Sequence, residues 1–271
     1  MTTVTWVLES EIFPESHPPV REAITRAGHN IAEWSDAWVT NGPPARLTSG
    51  LTIFHGSLGN AAHINDHFDW NPGSFCDTDR FRCSYWYGHK REWLIHDQYA
   101  FTTVAELVEN SRDIADSIGA TDTLFVRPDS PLKPFSGRVV GTANLTLKDL
   151  DHGFYYDDLQ LPIVVAPIRT VGREWRFVVV NGIVIAGSGY DPSTRTAAPI
   201  ELNDSVTQFA ASIAAETFAP CNVYILDVCD CDGELRLVEF NPFGGADLYA
   251  CNPDAIINAV ADWAVKRYNA G

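Results

Sequence analysis

The sequence is short of positive charge. Its 271 residues carry 19 Lys and Arg against 35 Asp and Glu, a net charge of −16. Four of those cations are lysines: Lys90, Lys133, Lys148 and Lys266. Coating nucleic acid or an anionic membrane depends on Lys and Arg, so a polyanion-coating role is excluded, whereas one small basic pocket for a nucleotide is not. No run of about eighteen apolar residues occurs, so no segment reads as a membrane span. The start, Met1 to Ser10, lacks a basic n-region and a long apolar stretch and does not read as a secretory signal. The six cysteines form no Cys-x-x-Cys pair and no disulfide framework. Reduced, mostly buried thiols in a cytoplasmic protein are the expectation. Also missing are a P-loop, a Gly-x-Gly-x-x-Gly turn, a Gly-x-Ser-x-Gly elbow and a His-Glu-x-x-His pair.

What is present divides unevenly. The first hundred residues hold six of the eight tryptophans. They read as a small α/β unit: a strand at 4–8, a proline-started helix at 18–27, a strand at 51–55, then an aromatic, irregular stretch at 65–92. Thr103-Val-Ala-Glu106 is a capping box, and Val104, Leu107, Val108, Ile114 and Ile118 follow helical spacing behind it. Strands are expected at 123–126, 161–168, 174–180, 183–188, 222–228 and 235–240. Helices are expected at about 204–218 and after the Asn252-Pro253 cap. The last 170 residues therefore read as α+β with hairpins, not as alternating parallel βαβ units.

Three segments carry chemistry. The first is Phe125-Val-Arg-Pro-Asp-Ser-Pro-Leu-Lys-Pro-Phe-Ser-Gly137. Arg127 and Lys133 stand where a strand end meets a loop, a common place to hold an anion; two solvated surface cations are the bland alternative. The second runs from Arg173 to Tyr190 around an Asn181-Gly182 hairpin turn. That turn pairs Val180 with Ile183 and sets Arg176 opposite Gly187 and Glu174 opposite Gly189. Glycines facing charges leave space that a ligand could fill, or the charges form an i,i+2 ion pair on a solvated sheet end.

The third segment holds Asp227, Glu239 and Asn241 in two apolar strands. Period two puts Glu239 and Asn241 on one face. A two-residue Asp232-Gly233 loop sends Asp227 to the other face, whereas a three-residue loop of Cys231, Asp232 and Gly233 makes Glu239 its diagonal neighbour. The odd-numbered loop is the expectation. Two carboxylates and an amide oxygen brought together suit a cation, and all-oxygen ligation suits Mg²⁺ beside phosphates. A protonated or hydrogen-bonded acidic cluster is the alternative. His63 and His67, four residues apart, are a weaker metal signal for want of a third ligand.

In this order the three segments resemble the ATP-grasp superfamily, and more narrowly its arginine-and-two-lysine clade, over roughly residues 122–250. The resemblance implies an α+β ATP-grasp fold of two subdomains clasping ATP, at 101–165 and 166–271. It also implies a small α/β pre-ATP-grasp domain before that core, at 1–100. Arg127 and Lys133 would contact phosphates, with 134–137 folding over them. Val165, Ala166, Pro167 and Ile168 would offer backbone groups to adenine. Glu174 would bind the ribose hydroxyls, and Arg176 would reach the phosphates or the reacting oxygen. Asp227, Glu239 and Asn241 would hold one or two Mg²⁺. Lys148 is the nearest candidate for the clade's second lysine.

The implied activity is Mg-ATP-dependent ligation of a carboxylate to an amine through an acyl phosphate, with Arg176 and Lys133 acting at the reacting phosphoryl group. Nucleic acid and membrane are not among the expected partners. A non-catalytic ATP-binding assembly module is the rival reading, and kinase-like transfer to a small molecule is a third. Ser188, Tyr190, Asp247 and Tyr249 flank the motifs and are candidates for lining the substrate side.

Overall fold

A computed structural model describes residues 2–48, 50–150, 157–191, 194 and 196–270. The chain forms two compact units, one of residues 1–77, 173–230 and 237–271, the other of 78–172 with 231–236. The first unit opens with strand β1 (Thr5–Leu8), helix α1 (His17–Arg26), β2 (Asn30–Glu33), α2 (Ala37–Asn41), β3 (Leu51–His55), α3 (Leu58–His67) and β4 (Asn71–Gly73). Its four strands form a parallel sheet in the order β2-β1-β3-β4. A parallel sheet is covered on both faces, so β3 is buried at all five positions and shows no polar alternation. Period two divides its side chains between two cores: Trp6, Leu8 and Ile53 enter one, Val7 and Phe54 the other.

The second unit holds α4 (Cys83–Trp86), β5 (Ala100–Thr103), α5 (Val104–Ser117), β6 (Thr123–Pro128), β7 (Arg138–Gly141) and β8 (Pro162–Ala166). Its sheet runs β5-β8-β6-β7 and is antiparallel throughout. Helix α5 starts where the capping pattern placed it. Thr103 Oγ1 accepts from the Glu106 N–H at 3.3 Å, while the Glu106 carboxylate accepts from the Thr102 hydroxyl at 2.8 Å, so half of a capping box forms. Val104 and Leu107 of α5 pack with Leu124, Val126, Ile163 and Val165. The other face of the sheet carries Phe125 and Arg127, paired with Ala166 and Val164.

The remaining elements are β9 (Val171–Val180), β10 (Ile183–Asp191), β11 (Thr196–Pro199), α6 (Ser205–Ala214), β12 (Val223–Cys231), β13 (Glu234–Pro242) and α7 (Pro253–Ala270). The strands form one sheet ordered β11-β10-β9-β12-β13. Val178, Val180, Val223 and Ile225 share a core with Trp6, Ile53 and, from α7, Ile256, Ile257 and Val260. Asn252 caps α7, its Oδ1 accepting from the Ala255 N–H at 3.2 Å.

Both hairpin turns are two residues long with positive φ throughout, 51° and 78° at Asn181-Gly182 and 56° and 85° at Asp232-Gly233. That is the I′ geometry that Asn-Gly and Asp-Gly favour, because its twist matches that of the strands. The expected three-residue loop at 231–233 does not form.

One glycine fixes how the segment after β13 approaches the parallel sheet. The Gly244 N–H donates to Ser74 O at 3.1 Å, and its carbonyl accepts from Gly56 N at 2.9 Å. A Cβ on Gly244 would stand 2.2 Å from Ser74 O and 3.1 Å from Phe54 O, both backbone atoms. Gly244→Ala is expected to destabilise the protein by about 3 kcal/mol or to prevent soluble expression, because overpacking against backbone has no side chain to displace. Urea unfolding checks this; an unchanged midpoint contradicts so close an approach.

Candidate functional site

In the first unit β9, β12 and β13 bring four predicted residues together. The Arg176 guanidinium forks onto Asp227, Nε to Oδ1 at 2.9 Å and Nη2 to Oδ2 at 2.7 Å. Asn241 Nδ2 donates to Asp227 Oδ2 and to Glu239 Oε1, each at 2.9 Å. Asp227, Glu239 and Asn241 therefore meet, as expected, although through a different turn. Glu174 lies beside them, its carboxyl held above the usual range by burial and then by the charges of Asp227 and Glu239. Burial opposes the Arg176 charge, but Asp227 outweighs it and the guanidinium binds its proton more tightly than usual.

Within this cluster three carboxylates stand against one guanidinium in a partly buried space. That balance and the oxygen donors fit a divalent cation such as Mg²⁺. Among the described residues no three His, Cys, Asp or Glu side chains gather as a metal site. The cation reading thus rests on Asp227 and Glu239 with Asn241.

The glycine reading of β10 is corrected. The register shifts between Val184 and Ala186, so Arg176 faces Ser188 and Glu174 faces Tyr190, while Gly187 and Gly189 face Phe177 and Trp175. A β-bulge adds one residue to one strand and moves every later partner by one. The space beside the glycines is filled from within the protein. A Cβ on Gly187 would stand 2.8 Å from Ile200 Cδ1 and from Phe177 Cε1, and one on Gly189 2.9 Å from Arg173 Nη2.

The shift brings the flanking residues to the site. Tyr249 covers Arg176, its ring centre 4.4 Å from the guanidinium carbon, and stacks on Tyr190 at 4.9 Å and 7°. The Asp247 carbonyl accepts from Arg176 Nη1 at 2.7 Å, and its carboxylate accepts from the Tyr249 N–H at 2.9 Å. Ser188 is fully buried, and its Oγ accepts from the Ala250 N–H at 3.3 Å. Arg176 is therefore clamped on three sides.

In the second unit Arg127 stands at the end of β6, on the sheet face turned away from α5. Gly137 passes close over that face: a Cβ there would stand 2.8 Å from Phe125 Cζ and 3.8 Å from Arg127 Cβ. Gly137 so lies beside Arg127, while Phe135 packs with Leu124 and Val126 in the core that α5 covers and Lys133 is exposed at positive φ, 48°. Val165 and Ala166 are buried at the end of β8, Pro167 is half-buried and Ile168 is exposed beyond it. Lys148 lies exposed in a short 3-10 turn, Leu147–Leu150.

Sequence reading missed several residues. Lys90, in the aromatic stretch, is fully buried. Asp129 is buried and accepts from the Ser84 N–H at 2.7 Å and the Ser84 hydroxyl at 2.9 Å, which ties the Arg-Pro-Asp loop to α4. His17 and His55 form a buried pair at 2.9 Å, with His55 Nε2 donating to Ala246 O at 3.1 Å. His63 and His67 meet with ring centroids 4.5 Å apart and planes tilted by 53°, with no third ligand among the described residues. All six cysteines are free; burial pushes the Cys251 thiol up to about 12 and makes it a poor nucleophile. No helix among the described residues is long and apolar enough to cross a membrane.

No curated protein matches the sequence. Among solved structures the chain is similar to D-alanine–D-alanine ligase from Bacillus anthracis complexed with ATP, at 12% identity and TM-score 0.67, over 100% of each chain. It is also similar to D-cycloserine synthetase DcsG, at 12% identity and TM-score 0.66, over 97% of this chain and 99% of that one. A third likeness is the ATP-grasp ligase PsnB complexed with minimal precursor, at 14% identity and TM-score 0.54, over 97% and 100%. Such identities speak for the fold, a mixed α/β ATP-grasp architecture. The sequence itself matches the ATP-grasp domain of the arginine-and-two-lysine clade, family 3, over residues 71–260. With that match spanning both the segment of Arg127 and Lys133 and the acidic hairpin, the chain belongs to family 3 of the arginine-and-two-lysine clade of ATP-grasp domain proteins.

Proposed function

We propose that the protein is an ATP-dependent ligase of the ATP-grasp type that joins a carboxylate to an amine through an acyl phosphate. The observation that carries this reading is the Glu174–Arg176–Asp227–Glu239–Asn241 cluster, in which carboxylates outnumber the guanidinium and no member is a hydroxyl, thiol or amine nucleophile. A site that stabilises phosphoryl transfer needs charges held in place and no covalent step on the protein. Family membership and a fold shared with ligases for amino acids and a precursor peptide support it.

In this reading Asp227, Glu239 and Asn241 hold one or two Mg²⁺, which would shield the phosphate charges when bound. Glu174 accepts from the ribose hydroxyls. Ala166, Pro167 and Ile168 offer backbone groups to adenine, and Arg127 and Lys133 bind phosphates. Arg176 is fixed by Asp227, by the Asp247 carbonyl and by the Tyr249 ring, so its remaining N–H groups meet the transferring oxygen without reorganisation. Lys148 stays the nearest candidate for the clade's second lysine. The proposal retains residues 1–100 as a pre-ATP-grasp-like domain and 101–271 as the core, with subdomains at 101–165 and 166–271.

The test is ADP release from Mg-ATP across panels of amino-acid and peptide carboxylates, with and without amine acceptors. Hydroxylamine is the trap for an acyl phosphate. ADP formation that requires a carboxylate, with hydroxamate in the trapped reaction, is the expected result. ATP binding without ADP formation across the panels favours an assembly module instead. A product that keeps the phosphate marks a kinase.

A further inference from the structure

We infer that His55 is a positioning residue for Arg176: it holds the Ala246 carbonyl and so fixes the loop whose next carbonyl grips the guanidinium. Its consequence for catalysis rests on the proposed place of Arg176 at the transferring phosphoryl group. His55 closes β3 in the parallel sheet and is fully buried. Its Nε2 lies 3.1 Å from Ala246 O. A carbonyl only accepts, so Nε2 carries the hydrogen and Nδ1 of the neutral ring is an acceptor. His17 Nε2 donates to that Nδ1 at 2.9 Å. Burial, then the His17 charge, pulls the pKa of His55 down to about 3 and keeps its ring neutral. Both nitrogens are thus used, and turning the ring over loses both bonds. The Phe13 and Phe243 rings close on it, each with its centroid 5.4 Å away.

The loop after β13 hangs from the sheet at Gly244, through its backbone bonds with Gly56 and Ser74. Two residues on, His55 takes Ala246 O. The next carbonyl, Asp247 O, accepts from Arg176 Nη1 at 2.7 Å. The Asp247 carboxylate accepts from the Tyr249 N–H, and the Tyr249 ring lies over the guanidinium. Consecutive carbonyls of one loop are therefore held by His55 and by Arg176. Asp227 takes Nε and Nη2 and sets the plane of the guanidinium. Asp247 takes Nη1 and stops that end from swinging. A guanidinium fixed at both ends meets developing charge without reorganising. Freeing the loop from His55 leaves the Asp227 fork in place and loosens the second hold.

The first experiment needs no substrate. It records ¹H–¹⁵N spectra of the ¹⁵N-arginine-labelled full-length chain, with Arg176→Lys to assign the Arg176 signals. A hydrogen bond to one Nη1 hydrogen slows rotation about Cζ–Nη1, so the two Nη1 hydrogens are expected to give separate signals. The Nη2 pair, held by Asp227, is the internal control. His55→Gln carries an amide N–H close to the Nε2 position and is expected to keep both pairs separate. His55→Leu has no donor and is expected to merge the Nη1 pair alone. His17→Leu removes the other ring of the buried pair, leaves the bond to Ala246, and is expected to match the wild type. Merging in both leucine variants, or in neither, overturns the inference. A second arm measures Mg-ADP affinity with and without aluminium fluoride, a mimic of the transferring phosphoryl group. His55→Leu is expected to bind Mg-ADP within about threefold of the wild type and to lose about tenfold of the gain that aluminium fluoride gives, the loss of one well-aimed hydrogen bond. An equal gain in His55→Leu and the wild type overturns the role in catalysis. Wild-type protein that binds neither form overturns the nucleotide reading, while the arginine signals still decide the positioning. Should the variants fail to fold, the wild-type spectrum decides, and a merged Nη1 pair overturns the inference.

Discussion

Glu239→Gln is expected to lower ADP formation about a thousandfold while the protein folds with near-normal stability. The magnitude corresponds to about 4 kcal/mol of transition-state stabilisation, the scale of one well-placed charge at a phosphoryl group. Glu239 is the cleaner of the two carboxylates to change. Asp227 also receives two hydrogen bonds from Arg176 and one from Asn241. Its truncation leaves a buried guanidinium without its partner, which costs about 3–5 kcal/mol of stability and confounds the activity loss. Gln at 239 keeps the size of Glu and an oxygen for the Asn241 amide while removing the charge. Rising Mg²⁺ should restore part of the activity if the site has lost affinity for the ion. Full turnover by Glu239→Gln at ordinary Mg²⁺ sinks the metal assignment. For Asp227→Ala the expected signature is double, loss of turnover together with a lowered urea midpoint.

The convergence of Asp227, Glu239 and Asn241 was legible because strand period is a strong constraint and charged residues in apolar strands stand out against it. The turn between them was not. Asp232-Gly233 has a strong local preference for the I′ geometry, and the expectation of a longer loop set that preference aside to bring the side chains to one face. The bulge in β10 left no mark in Val184-Ile185-Ala186. It arises with cross-strand packing, where Ile200 and Arg173 occupy the space beside Gly187 and Gly189. Lys90 and His96 were invisible for another reason. They lie among short 3-10 turns and aromatics with no periodicity, where a lone lysine or histidine reads as surface until its burial is known.

Acid should unfold this protein early, and the buried histidines are the reason. His55 is fully buried, donates from Nε2 to Ala246 O and accepts at Nδ1 from His17; burial pulls its pKa down to about 3. His96 is pulled to about 4, and burial lowers His17 and His29 as well. A histidine whose folded pKa lies below its unfolded value stays neutral in the native state while the unfolded chain takes up the proton. Its contribution is therefore complete above an unfolded pKa near 6.5 and is lost as the pH falls below it, down to the folded pKa. At pH 5 each of His55 and His96 has withdrawn about 2 kcal/mol, together about 4, against a total stability of about 5–15 for an ordinary domain. Glu174 works the other way. Burial, then Asp227 and Glu239, raises its pKa, so its proton relieves the folded state as the pH drops. One carboxyl does not offset two deeply depressed histidines, because its upward shift is partly balanced by the Arg176 charge. Urea midpoints measured from pH 7.5 to 5 should fall steeply, and His55→Gln, which keeps a donor toward Ala246, should remove about half of that slope. A stability that stays flat over this range contradicts neutral buried histidines.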